Sequence, residues 1–280
     1  MLEQLLPTTE EEPQVIHEAM RYSIFAGGKR LRPILAIAAY EILGGRDDSI
    51  LTPACGLELI HTYSLIHDDL PCMDDDDYRR GRPTSHKVYG EAIAILAGDA
   101  MTALAFECLL AEDKNNRFPE GAVVRASRCV ARAIGTLGLV GGQVMDIANY
   151  AKDGKKTTLE RTCECKTAAL IETSLECGAL LAGASLRVLK ALQRYGKGLG
   201  LGFQITDDIL NVTGDPQQMG KSTHTDQAQD KVTFPQLLGV EAAKTEARQW
   251  LSDAKSTLHF LGDLAWPLQD IADYVLERQS

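Results

Sequence analysis

Apolar positions recur along this chain with the spacing of helices, and no stretch reads as a ladder of alternating strands. Residues 15–25, 32–43, 51–69, 91–110, 121–139, 159–183, 185–210 and 240–260 are rich in Ala, Leu and Ile and are predicted as helices. Helix-ending residues stand between them: Gly27-Gly28, Gly44-Gly45, Pro71, Gly81 with Pro83, Pro119, Gly141-Gly142, and Gly214 with Pro216. The stretch 211–233, polar and charged throughout, is predicted as the clearest loop. Several helices are apolar on more than one face, which suits an inner layer wrapped by others. No repeat and no low-complexity linker divides the chain, so residues 1–280 are expected to form a single all-α domain, one large helical bundle.

Composition narrows the class. At 280 residues the chain can bury a sizeable core, and 45% hydrophobic with 24% charged residues describes an ordinary globular protein. A net charge of −10 argues against nucleic acid as a partner, which calls for a basic face. Seven cysteines are scattered without a C-x-x-C pair and are read as free thiols of a cytoplasmic protein. The N-terminus is acidic at Glu10, Glu11 and Glu12 and carries no signal-peptide pattern. The most apolar run, 93–110, contains Asp99 and Glu107, so no transmembrane segment is expected.

Chemistry concentrates in "LIHDDLPCMDDDDYRRGRPT", residues 65–84, where six aspartates precede three arginines. In a helix ending before Pro71, His61, Ser64, Leu65 and Asp68 share a face. Asp68 and Asp69 close that helix and Asp74 follows the break. Two carboxylates about 4 Å apart repel by about 1 kcal/mol in water and about 4 kcal/mol at an effective dielectric of 20. A solvated turn tolerates this; a cavity does not without a cation. A second pair, Asp207-Asp208, ends the apolar run "GLGLGFQITDDILNVTGD", with Gln204 and Asn211 on or near the same face. Two such pairs suggest carboxylates facing each other across a shared space. All-oxygen ligation selects a hard cation, Mg²⁺, which completes its shell with water and phosphate oxygens. Phosphate-binding groups are available in "GGKRLRP", residues 27–33, in Arg79, Arg80 and Arg82, and in Lys166-Thr167, Lys221 and Lys231. No Walker motif and no G-x-G-x-x-G is present, so a nucleotide is not indicated.

Taken together and in this order, "GGKRLRP", Asp68-Asp69-x4-Asp74 with "RRGRPT", "GFQITDD", "GKS" and a later lysine resemble the trans-isoprenyl diphosphate synthases. The likeness is greatest to the bacterial and plastid short-chain branch, the farnesyl and geranylgeranyl diphosphate synthases. It implies an all-α bundle around a deep central cavity, usually a homodimer, that joins isopentenyl diphosphate head-to-tail to an allylic diphosphate. Under it, Lys29, Arg32, His61 and Arg80 would hold isopentenyl diphosphate. Asp68 and Asp74, with Asp69 in support, would ligate Mg²⁺, and Asp207 with Asp208 would hold a further Mg²⁺ from the opposite helix. Arg79, Lys166, Lys221 and Lys231 would bind the allylic diphosphate, and Lys166, Thr167 and Gln204 would flank the reacting carbon. The family's second motif commonly ends in a third aspartate, where this chain has Asn211, a carbonyl ligand without charge.

Product length rests on Tyr63, five residues before Asp68 and about 7.5 Å deeper along the helix at about 1.5 Å per residue. With small Ser64 beside it, Tyr63 is expected to form the floor that stops a growing chain, giving the C15 product, farnesyl diphosphate, ahead of a C20 product. A terpene cyclase would share the metal chemistry but needs no second diphosphate site, and a non-catalytic partner subunit typically lacks one aspartate motif.

Overall fold

The computed structural model describes residues 1–111, 117–214 and 231–278. Fourteen α-helices among them build the all-α architecture. They are α1 (Leu2–Leu5), α2 (Gln14–Ile24), α3 (Leu31–Ile42), α4 (Leu51–Asp68), α5 (Ser85–Tyr89), α6 (Glu91–Leu109), α7 (Ala122–Ile134) and α8 (Leu139–Ile147). There follow α9 (Lys156–Cys163), α10 (Ala169–Leu181), α11 (Leu186–Thr213), α12 (Phe234–Leu238), α13 (Val240–Ser256) and α14 (Trp266–Glu277).

The innermost element is α4. Pro53, Leu57, Leu59, Ile60, Tyr63 and Ile66 are buried around most of its circumference, against α3, α6 and α10. That is the burial expected for a helix without a polar face. The other long axis is α11, 28 residues and so about 42 Å, which packs on α10 and α13. It continues to Thr213, past the Asn211 where the polar pattern suggested the loop begins; residues 215–230 of that loop lie outside the described residues.

Two expectations need correction. Residues 121–139 are not one helix: α7 ends at Ile134 with Gly135 extended, and a separate α8 follows. Gly141-Gly142 therefore sits inside a helix rather than between helices. Its reason is contact, since a Cβ on Gly142 would collide with Lys166 N and Cα. There is also a strand pair, though a minimal one. Tyr78 pairs with Pro83 and Arg79 with Arg82, antiparallel, across a turn in which Arg80 and Gly81 both have positive φ (53° and 74°). Two residues per strand are too short to show as alternation.

Between α9 and α10 the helix widens into a π turn, Glu164–Ala168, which carries Lys166 and Thr167. Among the described residues α6 alone is long and apolar enough to cross a membrane. In this fold Ala94, Ala97, Met101 and Ala105 turn it into the core. All seven cysteines are free thiols.

Candidate active site

The acidic wall begins where α4 stops. The Asp74 N–H donates to the Asp68 carbonyl at 2.8 Å, closing the intervening loop and bringing the two carboxylates to one place. Both line a cavity of about 420 Å³. Burial, with Asp74 beside it, pushes the Asp68 carboxyl up to about 6 even though Lys166 opposes the rise. At the C-terminus of α4 the helix dipole adds to the cost of negative charge.

Two lysines answer this charge. Lys231 Nζ lies 2.8 Å from Asp74 Oδ1 and 3.3 Å from Asp146 Oδ2, and Lys166 Nζ lies 2.5 Å from the same Asp146 oxygen. Desolvation alone would raise Asp146, yet the two ammoniums hold it below the usual carboxylate range. Burial likewise works against the Lys166 charge, and Asp146, Asp68 and Asp74 together raise its pKa above that of a free lysine. Asp68, Asp74 and Asp146 with Lys166 and Lys231 thus form one network of opposite charges, drawn from α4, its following loop, α8, the π turn and the residues before α12.

Across the cavity Asp207 and Asp208 project from α11. Asp207 Oδ1 is 2.6 Å from Arg278, whose guanidinium is buried and stacks 3.8 Å from the Phe203 ring centroid. Asp208 is turned inward: it accepts from Gln204 Nε2 at 2.8 Å and from the Phe234 N–H at 3.2 Å, fixing the start of α12. Gln204 in turn accepts from Thr167 Oγ1 at 2.8 Å. The chain Thr167–Gln204–Asp208 orients a hydroxyl and an amide carbonyl at the cavity wall.

A basic face completes the site. Arg32 Nη1 donates to His61 Nε2 at 3.4 Å, and burial with the nearby arginines holds His61 well below its ordinary pKa, so the ring is a neutral acceptor. Burial lowers Arg32 itself to about 10, against the pull of Glu58 and Asp207. Arg80 reaches back to the Gly27 carbonyl. Beneath them Glu58, 1% exposed, pairs with Arg30 at 2.6 Å and anchors the loop before α3.

The predicted residues divide as follows. Arg32, His61, Ser64, Asp68, Asp74, Arg79, Arg80, Lys166, Thr167, Gln204, Asp207, Asp208 and Lys231 all line the cavity. Asp69 is turned away from it, buried at 3%, and accepts from Arg79 Nε at 2.6 Å. Lys29 is exposed on the loop before α3, outside the lining. Tyr63 is behind the wall: its ring meets His67 edge-on at 5.7 Å, and burial pushes its phenol up to about 12. Five helical residues turn through about 500°, leaving Tyr63 about 140° round α4 from Asp68, so Ser64 and Leu65 face the cavity instead. Lys221 lies outside the described residues. Three participants were missed: Asp146, Arg278, and Gln143, whose amide lines the cavity with neither polar atom hydrogen-bonded.

A cavity with carboxylates from three helices and a loop, interleaved cations and an apolar lining at Leu65, Leu139 and Leu170 defines a site for anionic substrates with hydrocarbon tails. The polyprenyl synthetase family matches residues 13–258, and the chain belongs to that family as a short-chain trans-prenyltransferase. It is 46% identical over 273 residues to the chloroplastic heterodimeric geranylgeranyl pyrophosphate synthase large subunit 1 of Arabidopsis thaliana, spanning 96% of this chain and 74% of that protein. It is 47% identical over 272 residues to the chloroplastic geranylgeranyl pyrophosphate synthase of Capsicum annuum, spanning 96% and 73%. Among solved structures, the geranyltransferase of Helicobacter pylori complexed with magnesium and isoprenyl diphosphate superposes with TM-score 0.84 at 34% identity, covering 98% of this chain and 91% of that one. An FPP/GFPP synthase of Zymomonas mobilis gives TM-score 0.84 at 36% identity, covering 98% and 93%.

Proposed function

We propose that this enzyme condenses isopentenyl diphosphate with C5 and C10 allylic diphosphates and releases the C15 product, farnesyl diphosphate. The observation that carries the proposal is the convergence of Asp68, Asp74, Asp146 and Asp207 with Lys166 and Lys231 on one cavity that also has an apolar lining. Donor chemistry fits Mg²⁺: Asp68, Asp74 and Asp207 offer hard oxygen ligands, and Asn211 in the same lining offers another. When bound there, Mg²⁺ supplies charge neutralisation of the allylic diphosphate as it departs.

The protein's own groups do the rest. Lys166, Lys231 and Arg79 hold the leaving diphosphate, stabilising the charge that gathers on it as the allylic C–O bond breaks. Arg32, Arg80 and neutral His61 hold the isopentenyl diphosphate, with Lys29 contributing from the exposed loop before α3. Thr167 and Gln204 present oxygen dipoles toward the allylic carbon. The isopentenyl double bond attacks that carbon, the adjacent C–H gives up its proton, and an oxygen of the departing diphosphate receives it.

Chain length follows from what lies behind the wall. A tail that grows past Ser64 and Leu65 must enter the α4–α6 packing, where Tyr63 is wedged against His67. A C20 product is the second reading, favoured by the names of the curated relatives. We also read the assembly as a homodimer, with Ile95 and Leu96, 42% and 50% exposed on α6, as part of the contact.

The test is to supply labelled isopentenyl diphosphate with C5, C10 or C15 primer and resolve the products. Accumulation at C15 with poor use of the C15 primer supports the proposal. Efficient conversion of the C15 primer to C20 selects the second reading.

A further inference from the structure

Beside the ionic network, a further set of metal-ligating groups spans the loop after Asp74 and the start of α5, with Asp77 also in the cavity lining. One carboxylate oxygen each from Asp75 and Asp77 and one ring nitrogen of His86 lie within 4.8 Å of one another. Two exposed aspartates would not by themselves make a site. The buried histidine changes this: His86 is 7% exposed, and its Nε2 is enclosed with no hydrogen-bond partner. Thr84 Oγ1 lies 3.2 Å from His86 Nδ1 and donates its own hydrogen to the Asp76 carbonyl at 2.8 Å. It is thus left to accept from Nδ1–H, which leaves Nε2 as the nitrogen open to a metal. A metal-ligating histidine commonly has this arrangement, with one nitrogen held by a neighbour and the other bare.

We propose that Asp75, Asp77 and His86 form a second metal site, at the edge of the diphosphate cavity that Asp77 also lines, which takes a borderline divalent ion of the Zn²⁺ type and uses none of Asp68, Asp74 and Asp207. Two carboxylates and one imidazole suit such an ion better than Mg²⁺, which prefers oxygen and retains water. Ligand bonds of about 2.0–2.2 Å require the three donors to close by roughly an ångström, within reach of side-chain rotation at the exposed Asp75 and Asp77. The competing cation is Lys87, 2.5 Å from Asp77 Oδ1; its side chain is 44% exposed and can swing into solvent. A bound ion would tie the loop after Asp74 to α5. Between those two points lies the hairpin that carries Arg79 and Arg80.

The test reads metal, not turnover, so it is independent of product length and of catalysis. The full chain is equilibrated with Zn²⁺ in the presence of excess Mg²⁺ and an inert diphosphate, and retained zinc is counted and examined by X-ray absorption. The expected result is one zinc per chain with one nitrogen and further oxygen donors. It is lost in His86→Gln and in the surface variants Asp75→Asn and Asp77→Asn, and kept in Asp68→Asn and Asp207→Asn. The aspartate variants keep the test valid if His86→Gln does not fold. The inference is overturned if zinc is not retained, is retained equally by every variant, or is lost only with Asp68 or Asp207.

Discussion

Asp146 Oδ2 lies 2.5 Å from Lys166 Nζ, a contact between α8 and the π turn that sets the position of a lysine whose charge Asp68 and Asp74 also stabilise. The same carboxylate also holds Lys231, so one side chain organises two cations. Breaking a buried ion pair by removing one partner typically costs about 3–5 kcal/mol. With Asp146 side chain 20% exposed, we take the lower end. That cost falls on stability; separately, Asp146→Asn is expected to reduce kcat/KM by about tenfold or more, because Lys166 and Lys231 lose the carboxylate that positions them. Steady-state kinetics with geranyl diphosphate as the varied substrate checks it; a loss under threefold would remove Asp146 from this role.

The Gly142 contact makes a stricter demand on the same region. A methyl group there meets Lys166 backbone, which cannot move without moving the π turn. Gly142→Ala is expected to destabilise the fold by about 1–3 kcal/mol, the usual cost of overpacking, and to lower activity in the remaining folded protein. Denaturant unfolding together with activity per folded molecule separates the two effects.

A pH dependence should arise away from the active site. Burial raises the Glu172 carboxyl to about 7, with Glu176 and Glu164 adding to the rise and Lys197 opposing it. A carboxyl whose folded pKa exceeds its unfolded value binds more protons when folded, so its contribution to stability falls as pH rises from about 4.5 to about 7. Glu172→Gln is expected to flatten that fall and to stabilise the protein at pH 8 by about 1–3 kcal/mol. Thermal unfolding of both proteins at pH 5 and pH 8 measures it; equal midpoints at both values would show that the carboxyl is not perturbed.

Much of the site was legible in sequence because its signals were local. Asp68 and Asp74 stood out as charges where an apolar helix breaks, Asp207 as a charge in an apolar run that the helix carries on to Thr213, and "GGKRLRP" as cations beside glycines. Asp146 and Arg278 gave no such signal. One is a lone aspartate in "QVMDIANY" and the other a residue near the C-terminus, ordinary until folding brings each to a partner 20 or 71 residues away. Lys231 and Asp74 are 157 residues apart. The α7–α8 boundary was misplaced because a glycine that ends a helix and a glycine that lets two backbones touch look the same in sequence. Asp69 was grouped with its neighbours by adjacency, yet successive helical residues diverge by about 100°, and only Asp68 faces the cavity.

Tyr63 carries the proposed limit on chain length although it does not line the cavity directly. Its removal opens space between α4 and α6 without touching the ionic network. Tyr63→Ala is expected to shift the principal product from C15 to C20 or longer while retaining the use of isopentenyl diphosphate. Chromatography of the dephosphorylated products decides; an unchanged product length would move the limit to other residues.

The central claim is that the ionic cavity couples departure of an allylic diphosphate to addition of an isopentenyl unit. The direct measurement is diphosphate released against isopentenyl diphosphate consumed, with geranyl diphosphate and Mg²⁺ present. The account predicts one diphosphate and one C15 chain for each isopentenyl diphosphate used, and little release when that substrate is withheld. Rapid release without isopentenyl diphosphate, or none with it, would contradict the account.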